Sequence, residues 1–243
     1  RPTADGESES MYTIDYLLTH SNLPGPRGNL ELLYAFAKSA DADLAEQCLA
    51  YASEEVSNSP EEFVGMCGVL GYAVLHRDDI RDVLGFLQPY AAHASWRIRE
   101  AVAMGIQEIS VGRVEQTLAG LAEMAAGNDY EKRAVVAGLC EPKLLTDAVC
   151  NREILRLLTA ITQGMEPEGK LSPGGEALRK ALGYGWSVVL AASPQDGKAA
   201  FEGLLALPGK HVRWILRENL KKNRLIKMDP DWVAEMQRRA VPI

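Results

Sequence analysis

The sequence is poor in the residues that build metal centres and disulfide frameworks. It has four histidines and four cysteines in 243 residues, and no histidine lies three to five residues from another histidine or from a cysteine. The cysteine spacings of this chain match neither a paired metal-binding motif nor a dense disulfide framework. We therefore expect no metal, no cofactor and four reduced thiols in a reducing, cytoplasmic compartment. The cysteines are Cys48, Cys67, Cys140 and Cys150.

The short motifs of common enzyme classes are also missing. The sequence contains no GxSxG nucleophile elbow and no GxxxxGK[ST] phosphate loop. Its adjacent acidic pairs, such as Glu61 and Glu62, fall where helices are predicted to begin or end. Neighbouring residues of a helix do not face each other, so these pairs make poor acid–base dyads. We predict no catalytic residue and lean against an enzyme.

Long hydrophobic runs are absent as well. No stretch approaches 18 uninterrupted apolar residues, the length that indicates a membrane-spanning helix. The first ten residues (RPTADGESES) are polar and acidic, unlike a secretory signal. We expect no membrane contact, and we expect residues 1–10 to form a disordered tail because they carry no large apolar side chain.

What the chain does contain is hydrophobic residues at helical spacing. From Met11 onward, apolar residues recur at three- and four-residue intervals, and no segment alternates as a strand would. This pattern predicts an all-α fold, with one domain over residues 11–243 and a candidate internal break at 166–175 (EPEGKLSPGG). Helices are predicted over residues 12–20, 29–39, 41–54, 60–76, 79–92, 95–110, 113–126, 129–144, 146–164, 174–192, 195–206, 209–226 and 230–239.

A weak internal repeat joins several of these helices. Aligning Trp96 with Tyr130 places Arg99 on Arg133. Aligning Trp96 with Trp214 places Arg99-Glu100 on Arg217-Glu218. With Glu176 to Arg179 as a degenerate member between Tyr130 and Trp214, the successive offsets are 34, 46 and 38 residues, which is typical of arrays of helical hairpins. The segments HASWRIREAVAMGI and KHVRWILRENLKKNRL resemble the second helices of HEAT repeats.

The region from about residue 11 to 240 resembles the bacterial HEAT-like superfamily that includes the alkylpurine DNA glycosylases. This resemblance implies a right-handed α-solenoid of antiparallel helix pairs, of the armadillo/HEAT type. It would also imply an active-site carboxylate in a Trp-Trp-Asp-like segment. The sequence has no Trp-Trp pair, and its nearest equivalent, Asp231-Trp232, has the reverse order. We therefore transfer no catalytic residue and expect no base-excision activity.

The clearest candidate binding feature is a basic stripe near the C-terminus. Residues 181–243 carry 10 basic and 6 acidic residues, whereas residues 1–60 carry 3 and 10. In the predicted helix 209–226, four cations recur at spacings of 4, 4 and 3 residues opposite an apolar face: Arg213, Arg217, Lys221 and Arg224. The stripe is either a solvated helix face or a surface that binds anions or phosphates.

Other candidate binding residues come from the repeat. Arg99 and Arg133 would join the stripe on the concave face of a solenoid, and Trp96 and Trp214 could be stacking platforms or packing residues. The pair of glycines in Gly183-Tyr184-Gly185-Trp186 indicates close helix packing. The predicted function is a non-catalytic HEAT-repeat binding or scaffold module that uses a concave face with the basic C-terminal stripe, and its expected partner is an acidic protein or a nucleic-acid backbone. The alternative is a nucleic-acid-binding protein related to the HEAT-like proteins of DNA alkylation repair.

Overall fold

A computed structural model describes residues 11–240, and all the regular secondary structure in that range is helical. It contains fifteen α-helices and two short 3₁₀-helices, and the described residues form no strand. The prediction of an all-α fold is confirmed, while the predicted tail at residues 1–10 lies outside the described residues. The helices are α1 (Ile14–Thr19), α2 (Leu30–Ser39), α3 (Ala42–Leu49), α4 (Pro60–Leu75), α5 (Ile80–Tyr90), α6 (Trp96–Ser110), α7 (Val114–Gly120), α8 (Ala122–Ala126), α9 (Asp129–Leu139), α10 (Ala148–Gln163), α11 (Pro173–Ala192), α12 (Pro194–Gly203), α13 (Lys210–Leu220), α14 (Asn223–Met228) and α15 (Pro230–Arg239).

The helices form two compact units, Arg1–Gly105 and Ile106–Ile243, so the boundary falls inside α6. The prediction of one domain with a break at 166–175 stays a prediction. Loop 166–175 itself lies within the second unit and leads into α11.

In the first unit, α4 is the central helix. It packs against α1, α2, α3 and α5, and every residue from Glu62 to Gly71 is buried. Its start is fixed by Ser59, whose side chain caps the helix, and by Pro60 at the first helical position. A Cβ on Gly68 would lie 2.5 Å from the backbone nitrogen of Leu49, so this glycine allows α3 and α4 to touch.

In the second unit, α11 has the central place. It packs against α9, α10, α12, α13 and α14. Trp186 is fully buried on this helix, and its indole nitrogen donates a hydrogen bond to the Thr162 hydroxyl at 3.0 Å. The buried amide of Asn219 on α13 donates to the Leu182 carbonyl and accepts a bond from the Ser187 nitrogen, which fixes α13 on α11.

Three predicted helices are interrupted, and a fourth is shorter than predicted. The helix predicted over 209–226 ends at Leu220 and resumes as α14, and the one predicted over 113–126 divides into α7 and α8. The helix predicted over 129–144 ends at Leu139 before the 3₁₀-helix Pro142–Leu144, and the one predicted over 41–54 ends at Leu49. Geometry explains the first break. A residue advances about 100° around a helix, so Leu225 would stand roughly 140° from the centre of the buried face of α13 if the helix continued. Because Leu225 is fully buried, the chain has to turn before it.

Candidate anion-binding surface

The basic stripe begins on the face of α13 that points away from the core. Val212, Ile215 and Leu216 are buried on one side of this helix, while Arg217 is exposed on the other. Lys221 follows as the C-terminal cap and is exposed too. The stripe is therefore a surface feature over this helix, as the spacing predicts.

Two of the four stripe cations already have acidic neighbours. Arg213 lies 3.6 Å from Glu168, and Lys221 lies 2.5 Å from Glu218. Arg217 has neither an ion pair nor a side-chain hydrogen bond to any other residue within 11–240. Positive charge along α13 is thus partly neutralised, and Arg217 is its least neutralised position.

The fourth stripe residue, Arg224, lies on α14 and contacts a different group. Its Nη2 donates a 2.7 Å hydrogen bond to the hydroxyl of Tyr184 on α11, and its guanidinium carbon lies 4.8 Å from the centre of that ring. The ammonium of Lys222 lies 5.7 Å from the same ring centre. We call Tyr184, Lys222 and Arg224 the Tyr184 cluster. Across the described part of the chain, no carboxylate pairs with either of its cations.

Tyr184 is an exposed residue on an otherwise buried stretch of α11. It is 47% exposed, whereas Gly183 and Gly185 on either side are buried. A Cβ on Gly183 would lie 2.7 Å from the ring of Trp214, and one on Gly185 would lie 2.9 Å from the sulfur of Cys140. Close helix packing at these glycines is confirmed.

Sequence reasoning missed Tyr184 as a surface residue. One signal was present, since the exposed Lys180 stands one turn before it on α11. The two residues lie on the same side of the helix and mark it as facing solvent.

Trp214 is held by packing and not presented to solvent as a platform. It is half-buried against Gly183, and the guanidinium carbon of Arg179 lies 4.6 Å from its ring centre. Arg179 is in hydrogen-bond contact with Nδ1 of His211 at 3.0 Å, and Nε2 of His211 lies 2.8 Å from the Gly169 carbonyl oxygen. Since that carbonyl can only accept, Nε2 carries the proton and donates, and Nδ1 accepts from Arg179.

Arg99, a candidate binding residue in the first unit, has a local structural role. Nη1 of Arg99 donates to the carbonyl oxygens of His93 and Ala94, at 2.6 and 3.0 Å, and so ties down the turn before α6. Arg133, in the second unit, is half-buried on α9.

Trp96 is the most exposed of the candidate aromatic residues. It is 52% exposed and stacks on Arg97, whose guanidinium carbon lies 4.5 Å from the ring centre. Beside it lies a mainly apolar cleft of about 220 Å³. The cleft is lined by Pro26, Arg27, Gly28, Leu30, Met66, Trp96, Arg97, Glu100 and Met104.

Arg97 itself belongs to a buried ion pair. It lies 2.9 Å from Glu62, and the two residues are 5% and 1% exposed. The Ser95 hydroxyl donates to Glu62, and Arg97 donates to the Gly25 carbonyl at 2.7 Å. Every charge in this group therefore has a hydrogen-bonded neighbour, which is how buried charges are tolerated.

The four cysteines are free thiols. Burial raises the pKa of Cys48 and of Cys140 to about 12 and also raises that of Cys67. A raised pKa reduces the thiolate fraction, and buried thiols of this kind are inert. In the part of the chain that the structure describes, no three or more His, Cys, Asp or Glu residues are grouped as metal ligands would be.

None of the helices over residues 11–240 combines the length and the apolar character that crossing a membrane requires. Comparisons with models of protein families, with curated proteins and with solved structures gave no match to the chain. The HEAT-like resemblance therefore stays a prediction.

Proposed function

We propose that the protein is a non-catalytic, HEAT-like binding module that holds an acidic protein against the basic surface of α13 and α14. This surface comprises Arg213, Arg217, Lys221 and the Tyr184 cluster. The observation that carries the proposal is that Arg217, Lys222 and Arg224 have no carboxylate partner among the described residues. Exposed cations that the fold itself does not neutralise attract an acidic partner and accelerate its association.

The packing in the second unit supports the HEAT-like part of the proposal. Helix α11 packs against α9 and α13, while α10 packs against α12, as expected for stacked helical hairpins with inner and outer helices. The right-handed solenoid of antiparallel pairs is part of this proposal. Arrays of this kind commonly present a binding surface without chemistry.

Binding of a nucleic-acid backbone is the second candidate. Unneutralised cations around an exposed tyrosine are a feature that single-stranded nucleic acid uses as well as acidic proteins. A glycosylase activity gains no support from Asp231 and Trp232. Trp232 is half-buried, its indole nitrogen donates to Glu202 at 2.8 Å and its ring packs on Phe201, so the aromatic residue next to the exposed Asp231 is engaged within the fold.

The test reverses two exposed charges of the surface. Partners are captured from the native host with and without nuclease treatment, and affinity is then measured for the wild type and for the double variant Arg217→Glu/Lys221→Glu. Arg217 is exposed and unpaired within residues 11–240, so its reversal should change stability by no more than about 0.5 kcal/mol. Reversal of Lys221 should cost about 1 kcal/mol because it places a carboxylate beside Glu218 at the end of α13. We expect a slower association with the acidic partner and a weaker dependence of affinity on salt.

The matched control is Arg152→Glu/Arg156→Glu. Both arginines are exposed on α10, at a distance in sequence from the basic surface, and reversing them changes the net charge equally. Loss of affinity in the control as large as in the double variant would mean that net charge alone matters. Unchanged affinity of the double variant at low salt would show that the stripe is a solvated face. A partner lost after nuclease treatment would favour the nucleic-acid alternative.

A further inference from the structure

The Tyr184 cluster groups three different hydrogen-bond donors around one aromatic ring. Arg224 donates one of its five N–H groups to the Tyr184 oxygen at 2.7 Å. Because this oxygen is the acceptor in that bond, the proton of the hydroxyl is free to be donated outward. The remaining N–H groups of Arg224 are not used in this bond, and the ammonium of Lys222 lies 5.7 Å from the centre of the ring that carries the hydroxyl.

The ring also fixes the two cations in place. Guanidinium and ammonium groups within about 6 Å of an aromatic centre are attracted to the ring. Both cations of the cluster meet this distance, at 4.8 Å for Arg224 and 5.7 Å for Lys222. Holding the cations in advance reduces the side-chain entropy that a ligand would otherwise have to overcome.

Three other cations of the same unit are arranged differently. Lys198 lies 2.5 Å from Asp229, Arg239 lies 3.7 Å from Glu202, and Arg213 lies 3.6 Å from Glu168. In each case a carboxylate of the fold is the counter-ion. At the Tyr184 cluster an uncharged ring takes that place, which leaves the charge available to a ligand.

We propose that the Tyr184 cluster binds a phosphate monoester on a side chain of the partner protein, so that the module recognises a phosphorylated acidic segment. The inference rests on the proposed function and names the ligand group of the same surface. A carboxylate has two oxygens, which one guanidinium can engage alone, whereas a monoester offers three terminal oxygens and nearly two negative charges to three donors. A phosphodiester in a nucleic-acid backbone exposes two such oxygens and one charge.

The experiment uses the full chain and small probes. Binding is followed by chemical-shift changes on titration with phenyl phosphate, inorganic phosphate, dimethyl phosphate and acetate. We expect the two phosphates with three or more terminal oxygens to shift Tyr184, Lys222 and Arg224, with dimethyl phosphate and acetate at least about 10-fold weaker, since hydrogen bonds to charged groups differ by that order. Equal affinity for all four anions would overturn the proposal.

Two conservative variants locate the site. Tyr184→Phe retains the ring and removes the hydroxyl, so affinity for phenyl phosphate should fall roughly 5- to 10-fold. Arg224→Gln should weaken it at least as much, while Arg156→Gln on α10 should leave it unchanged. Helical circular dichroism verifies that each variant folds. Unchanged affinity in both cluster variants would refute the assignment.

A second binding experiment, with a peptide and an oligonucleotide, separates this inference from the proposed function. A phosphotyrosine peptide with acidic flanks is compared with its unphosphorylated form, with inorganic phosphate and with a single-stranded oligonucleotide that lacks terminal phosphates. We expect the phosphopeptide to bind at least about 10-fold tighter than each of the others. Tighter binding of the oligonucleotide would assign the cluster to a nucleic-acid backbone. If phosphatase treatment leaves capture of the partner intact while Arg217→Glu/Lys221→Glu abolishes it, the phosphate inference fails and the proposed function stands.

Discussion

The two units each place an arginine on an aromatic ring, and they use the pair in opposite ways. In the first unit the guanidinium of Arg97 lies 4.5 Å from the centre of Trp96, and in the second that of Arg224 lies 4.8 Å from the centre of Tyr184. Arg97 is buried and paired with Glu62. Arg224 is half-exposed and, within residues 11–240, meets no carboxylate.

The difference shows that an aromatic–cation contact does not by itself indicate a binding site. What distinguishes the two is whether the fold supplies the counter-ion. At Arg97 the carboxylate of Glu62 and the carbonyl of Gly25 accept the hydrogen bonds of the guanidinium. The arginine therefore joins α6 to α4 and to the loop before α2. At Arg224 the ring orients the cation and leaves its charge for a ligand.

The largest effect should come from breaking the buried pair. Replacing Glu62 with Gln leaves Arg97 buried without its carboxylate, and removing one member of a buried ion pair costs about 3–5 kcal/mol. Urea unfolding of the variant measures this loss. Arg224→Gln, the matched change at the other ring, should cost only about 1 kcal/mol, because it removes partly exposed contacts with Tyr184 and leaves no buried charge unpaired. Equal losses for the two variants would remove the distinction between the two arginines.

A smaller loss of stability should follow from overpacking the contact between Gly183 and Trp214, next to Tyr184. In Gly183→Ala the added Cβ would lie 2.7 Å from the Trp214 ring, and overpacking of this kind costs about 1–3 kcal/mol. The control is Gly85→Ala in α5, where no atom lies within 4 Å of the added Cβ. An alanine there should stabilise the helix by about 0.5–1 kcal/mol. Thermal unfolding measures both, and a shift of the same sign in the two variants would contradict the packing account.

The helical fold class was accessible from the sequence because apolar spacing and capping residues are local signals. Ser59-Pro60, for example, starts α4 where the pattern predicts it. The end of α13 at Leu220 was not accessible, since Lys221, Lys222 and Asn223 include no helix-breaking residue. The break arises from the need to bury Leu225, which depends on the neighbouring helices.

The candidate site was predicted only in part for a similar reason. The spacing places Arg213, Arg217 and Lys221 on one exposed face, as the sequence indicates. The spacing does not reveal that carboxylates neutralise Arg213 and Lys221. Nor does it reveal that Arg224 contacts Tyr184, a residue 40 positions away. Arg99 illustrates the converse, because backbone carbonyls six and five residues before it take up a guanidinium that the repeat alignment assigned to binding.

Mapping the contact surface of a short polyanion on the isotope-labelled full chain tests the central claim most directly. Hexaglutamate, added at low salt, should bind to the cations that the fold leaves without counter-ions. The account predicts that the largest shifts occur at Tyr184, Lys222, Arg224 and Arg217, and that shifts at Arg97 and Arg156 are small. Shifts centred on Arg156, or spread evenly over the exposed cations, would contradict the claim that the Tyr184 cluster and Arg217 form the binding surface.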